Sequence, residues 1–153
     1  MSSYLSFDNK VFAQFALYAT VVLLKTIFLG PSTVVCRFVK KAFANQEDTK
    51  LATSKGKTLA VNLSDPDVER VRRCHQNDIE NVVPFVLIGL LYVLVGPSAT
   101  VAVYHFRVFA ASRIFHTFAY LVPFPQPCRA LAYMTGWVVT FSMSISVLSV
   151  AAF

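Results

Sequence analysis

The sequence predicts an all-α integral membrane protein, and three observations carry that expectation. Of its 153 residues, 56% are hydrophobic and only 14% are charged. The mean hydropathy is +0.57. Four long apolar stretches are separated by turn and charge signals. A soluble domain carries about a quarter charged residues, and a disordered chain is polar and poor in aromatics. With 14 Phe and 6 Tyr, this chain fits neither class.

Each stretch is near the roughly 20 residues a helix needs to cross about 30 Å of hydrocarbon. The first span is predicted over residues 11–39, interrupted by Lys25 and by Gly30-Pro31, where the missing amide donor should kink the helix. It reads as a span rather than a cleavable signal, because its start is weakly charged and no small-residue cleavage motif follows. A connecting loop is expected over 40–65. The second span, 66–95, has the clearest start: Asp65 as N-cap, Pro66 at the first helical position, and Asp67 and Glu69 where the helix dipole favours negative charge. Gly96-Pro97 ends it. At 1.5 Å per residue it reaches roughly 45 Å, so its first three turns stand in the headgroup region or in water. The third span, 99–122, ends at the proline-rich run from Pro123 to Pro127, and the fourth occupies 128–152. The whole chain, 1–153, is expected to form a single four-helix transmembrane domain.

The formal charge is +6, and nine of the fourteen Lys and Arg lie between Arg37 and Arg73. That concentration reads as an orientation signal, an anionic ligand site or a basic loop against lipid headgroups rather than a nucleic-acid surface. The positive-inside rule puts the first and third loops in the cytoplasm and both termini on the far side. Cys36, Cys74 and Cys128 form no CxxC pair, so free thiols are expected, and no metal site.

Ionisable groups inside a membrane are costly, so their positions are informative. Arg70, Arg73, Asn77 and Glu80 are spaced 3, 4 and 3 residues apart and share an arc of about 80° on the second helix. His105, Arg113, His116 and Tyr120 share a similar arc on the third. Arg37 and Arg129, at the cytoplasmic ends of the first and fourth spans, are expected to complete a ring at one depth. Arginines in that ring outnumber its one glutamate, which points to a bound anion. Periodicity leaves Lys25 and Arg107 without partners; His75, facing away from the stripe, reads as a headgroup or structural histidine, and His105, near the opposite membrane surface, as core packing.

The run from Glu69 to Asn81, the segment from Lys40 to Asp48, His105-Phe106-Arg107, the stretch from Arg113 to Thr117 and Pro125-Gln126-Pro127-Cys128-Arg129 together resemble the membrane-associated proteins in eicosanoid and glutathione metabolism, the MAPEG family. The resemblance covers nearly the whole chain. It implies a homotrimer of four-helix subunits in the endoplasmic reticulum or outer mitochondrial membrane, with glutathione as co-substrate between subunits near the cytoplasmic surface. By resemblance, Arg37, Arg73, Asn77, Glu80, Arg113, His116, Tyr120 and Tyr133 bind glutathione, and Arg129 sits at the sulfur as the catalytic residue. Arginines for two carboxylates and a glutamate for the ammonium complement that ligand.

The implied activity is conjugation of glutathione thiolate to lipophilic electrophiles, with peroxidase activity on lipid hydroperoxides. Ala130, where the prostaglandin-isomerising branch has serine, and Gln76, where it has arginine, favour the transferase branch. Tyr133 and Asp48 match the isomerising branch and keep prostaglandin E synthase activity as the alternative. Thr49 stands where mammalian members carry a cysteine, so activation through that thiol is not expected. A non-catalytic lipid-binding scaffold is the third reading.

Overall fold

A computed structural model describes residues 4–52 and 59–152 of the chain. Residues 53–58 of the expected loop, including Lys55 and Lys57 of the basic cluster, lie outside the described residues, as do 1–3 and Phe153. The described residues are helical, with four long helices and a short one: α1 (Lys10–Lys40), α2 (Gln46–Ala52), α3 (Pro66–Leu94), α4 (Ala99–Leu121) and α5 (Cys128–Ala151).

Local chemistry fixes the helix ends. Asn9 caps α1 by accepting a hydrogen bond from the Val11 amide at 2.9 Å. At the other end Lys41 adopts the left-handed conformation, φ 54°, and the Ala42 amide returns to the Arg37 carbonyl at 3.0 Å. The helix runs through Pro31 as a single element. Asp65 caps α3 as its sequence demands, with one carboxylate oxygen accepting from the amides of Asp67 and Val68 at 3.1 Å each. Gly96, φ +68°, terminates that helix in a conformation disfavoured for a residue with a Cβ. α2 was not expected; its seven residues lie within the connection and carry Glu47 and Asp48 in the first turn.

α1 packs against α3 and α4, and α5 against α3 and α4. Their shared core is aromatic. Phe85 and Phe109 stack with ring centroids 3.7 Å apart, and Phe15 meets Phe106 edge-on at 5.4 Å. At Gly89 the Phe15 ring of α1 lies directly on the α3 backbone: a Cβ there would lie 2.3 Å from a ring carbon of Phe15.

The outer surface is the reverse of a soluble protein's. Ile27, Phe28, Phe38, Val138, Ile145 and Leu148 are all more than half exposed. Helices α1, α3 and α5 are each long and apolar enough to cross a membrane. Such a surface belongs against hydrocarbon, and the chain is a multi-pass membrane protein. α4 falls outside that group, since His105, Arg107, Arg113 and His116 lower its apolarity.

Candidate functional site

A cleft of about 210 Å³ opens where α3, α4 and α5 meet. It is lined by Asn77 of α3, His116 and Tyr120 of α4, Gln126 of the connection, and Arg129, Ala130 and Tyr133 of α5. Five of the nine expected residues therefore come together: Asn77, His116, Tyr120, Arg129 and Tyr133. The Arg129 guanidinium lies 4.6 Å from the centroid of the Tyr120 ring, which holds a cation at the cleft wall without neutralising it.

Arg113 lies behind this lining, fully buried. Its Nε and Nη2 donate to one oxygen of Asp78 at 3.1 and 2.6 Å. Nη2 also reaches the Asn77 side-chain oxygen at 2.7 Å and Nδ1 of His116 at 3.2 Å. Its Nη1 is buried with no protein partner among the described residues. The other oxygen of Asp78 is ion-paired with Lys25 and accepts from the Thr117 hydroxyl at 3.3 Å. Lys25 donates to Thr117 as well, at 2.7 Å. Gly136 of α5 faces this cluster, where a Cβ would make ordinary contact with Cδ of Arg113 at 3.5 Å.

This network corrects two expectations. Lys25, unpartnered by periodicity, belongs to a buried cluster spanning α1, α3 and α4. The guanidinium surplus is also smaller than one glutamate implied, because Asp78 sits one residue off the polar stripe and meets Arg113 from the adjacent azimuth. A carboxylate within a membrane-crossing helix, facing a lysine in the middle of another, was the available signal. Gln126 was also overlooked, although it stands three residues before Arg129.

The remaining expected residues lie elsewhere. Arg37 donates to the Ala42 carbonyl at 3.1 Å and braces the end of α1. Arg73 is exposed and donates to the Glu69 carbonyl at 3.2 Å. Glu80 lines a second cleft, of about 270 Å³, with Asn81, Pro84, Ile88 and Trp137 among its neighbours. It accepts from Gln76 at 3.3 Å. Within this single chain, azimuth on one helix did not determine which neighbour each side chain would meet.

His105 bonds the Val101 carbonyl at 2.8 Å and the Ser142 hydroxyl at 2.9 Å, and His75 packs beside Gly30. Arg107 has a partner after all, donating to the Tyr18 hydroxyl at 2.9 Å. The three cysteines are free thiols.

The sequence profile of the MAPEG family matches residues 15–149. This chain belongs to the MAPEG family. Among curated MAPEG relatives, microsomal glutathione S-transferase 1 of Homo sapiens is 49% identical over 142 residues, covering 92% of this chain and 91% of the relative. The protein of the same name from Bos taurus is 51% identical over the same shares. Prostaglandin E synthase of Rattus norvegicus is 38% identical over 141 residues, 92% of this chain and 90% of the relative.

Proposed function

We propose that this MAPEG protein is a membrane-bound glutathione transferase that joins the glutathione thiolate to lipophilic electrophiles and reduces lipid hydroperoxides. The observation that carries the reading is the cleft, which combines the Arg129 cation with donors from Asn77, His116, Tyr120 and Tyr133. Over 142 aligned residues, about half of this chain is identical to proteins named microsomal glutathione S-transferase 1, which supports the same substrate here.

Glutathione brings two carboxylates, an ammonium and a thiol. The hydroxyls of Tyr120 and Tyr133 and the Asn77 amide are donors for its acidic groups, while Arg113, buried behind the lining, acts on the ligand through Asn77 and His116. A thiol of pKa about 8.5 is only ~3% ionised at pH 7, and each unit of lowering corresponds to about 1.4 kcal/mol of preference for the anion. The role assigned to Arg129 is to supply that preference. The thiol proton leaves to solvent; the sulfur then attacks an electrophilic carbon, forming the S–C bond as the leaving group departs with its electron pair. With a hydroperoxide, the thiolate attacks the terminal oxygen and the O–O bond breaks, releasing the alcohol. The sulfenic acid so formed takes a second glutathione to give the disulfide and water.

Arg37, Arg73 and Glu80, outside the cleft of one chain, are assigned to glutathione across a subunit boundary in a homotrimer. Each subunit is a four-helix unit in which α4 is the remaining crossing. At 23 residues α4 is about 35 Å long, and two of its ionisable residues, Arg113 and His116, are buried in protein rather than facing lipid. The endoplasmic reticulum membrane, or the outer mitochondrial membrane, is the assigned location, with lipophilic substrate arriving from the bilayer.

Isomerisation of prostaglandin endoperoxide is the second reading, favoured by Tyr133 in the cleft and by the 38% identity to prostaglandin E synthase. Turnover of a chloro-nitrobenzene, a lipid hydroperoxide and prostaglandin endoperoxide by the purified protein with glutathione tests both. Conjugation and peroxide reduction exceeding isomerisation is the expected result. Isomerisation alone would favour the second reading, and no turnover of any of the three would overturn the enzyme assignment.

A further inference from the structure

Two residues of the cleft share one buried donor. Nη2 of Arg113 lies among the carboxylate of Asp78, the Oδ1 of Asn77 and the Nδ1 of His116, at 2.6, 2.7 and 3.2 Å. Nη2 has two hydrogens to share among these three groups and no lone pair to accept with, so each group facing it must present an acceptor. Nδ1 of His116 is therefore the bare nitrogen, and in the neutral ring the proton resides on Nε2. The Asn77 side chain is likewise oriented with its oxygen toward Arg113, which leaves the Nδ2 hydrogens for the cleft. Both residues line that cleft, and both face an occupant as N–H donors.

Arg113 can impose this only while something holds it. Asp78 does so with two bonds to one oxygen, and its other oxygen is fixed by Lys25 and Thr117. Asp78 and Arg113 are both fully buried, so neither finds water as an alternative partner. An ionised group at this depth is expensive to keep, and its retention calls for a role.

We propose that Asp78 is a positioning residue for glutathione: through Arg113 it sets the polarity of the cleft, making Asn77 and His116 donors to the acceptor oxygens of the tripeptide. The proposal rests on the reading of the cleft as the glutathione site. Asp78 touches no substrate. Its removal acts through the two residues that do.

The test uses the full-length protein in detergent micelles or nanodiscs. Asp78→Asn keeps the shape but removes the negative charge that holds Arg113 against the Lys25 cation, so the guanidinium is no longer fixed. Glutathione binding by equilibrium dialysis should weaken about tenfold to a hundredfold, the range for lost hydrogen bonds to charged groups. KM for glutathione should rise with it, while kcat at saturating glutathione changes far less. Lys25→Met leaves both Arg113–Asp78 bonds in place, so it should lower thermal stability with a much smaller effect on binding. His116→Gln, whose amide nitrogen reaches the place of Nε2, should bind glutathione more tightly than His116→Asn, whose amide reaches only the place of Nδ1.

Nitrogen-15 shifts of labelled histidine in the wild-type protein, assigned with His116→Gln, should show the Nε2-protonated ring. This measurement decides the matter even if Asp78→Asn does not fold. Wild-type binding in Asp78→Asn, tighter binding by His116→Asn than by His116→Gln, or a proton on Nδ1 would each overturn the proposal. Failure of the wild-type protein to bind glutathione would instead overturn the parent reading, and the histidine shifts would still report whether Arg113 sets the ring.

Discussion

The aromatic core and the Lys25–Asp78–Arg113 network use the same helices for opposite purposes. Around Phe15, Phe85, Phe106 and Phe109, helices meet through ring contacts that require no polar partner. Around Asp78, three helices meet through charge, and each member depends on the others. In a membrane the core gains little from leaving lipid, which is as apolar as the rings, so its worth is packing alone. The polar network has no such freedom: a separated charge has nowhere to go. The first region can be altered by degrees, whereas the second turns on the one carboxylate that both cations share, and only the second touches the cleft.

That contrast is sharpest for truncation of the carboxylate. Asp78→Ala leaves Lys25 and Arg113 without their anion and should destabilise the protein by about 3–5 kcal/mol, seen as a large fall in the thermal midpoint in detergent. Overpacking the other region should cost less. Gly89→Val drives a side chain into Phe15 and should cost about 1–3 kcal/mol, with glutathione affinity retained in the folded fraction. A loss of affinity there comparable to that of Asp78→Asn would show the two regions to be coupled. Ser142→Ala removes the Nε2 partner of His105 and should cost about 0.6 kcal/mol, the average for polar contacts between membrane helices, with no effect on turnover. At the exposed start of α3, Arg72→Gln breaks the pair with Glu69 and should leave both the thermal midpoint and turnover unchanged.

Much of the fold is legible in the sequence because its punctuation is local. Asp65-Pro66 announces α3, Gly96-Pro97 ends it, and the prolines from 123 to 127 separate α4 from α5. α2 was missed because its seven residues are too few to generate periodicity, although Glu47 and Asp48 mark its first turn. The cleft is partly legible: Asn77, His116 and Tyr120 follow from helical arcs, Arg129 from its place at the cytoplasmic end of the fourth span, and Tyr133 from resemblance. Asp78 was not, since an arc describes one face of one helix, whereas the partner of Asp78 approaches from the neighbouring face. The same limitation explains why Glu80, on the stripe with Asn77, opens into a different cleft.

The most direct test is the ultraviolet absorbance of a thiolate when glutathione is added to the purified protein near neutral pH, compared between the wild type and Arg129→Ala. A cation held at the cleft wall by Tyr120 should produce the band in the wild type. In the variant the band should be lost, with a fall in conjugation rate of about a hundredfold, as for removal of one preorganised donor from a developing anion. An undiminished band and rate in Arg129→Ala would contradict the account, because the thiolate would then be stabilised by something other than the residue around which the cleft is built.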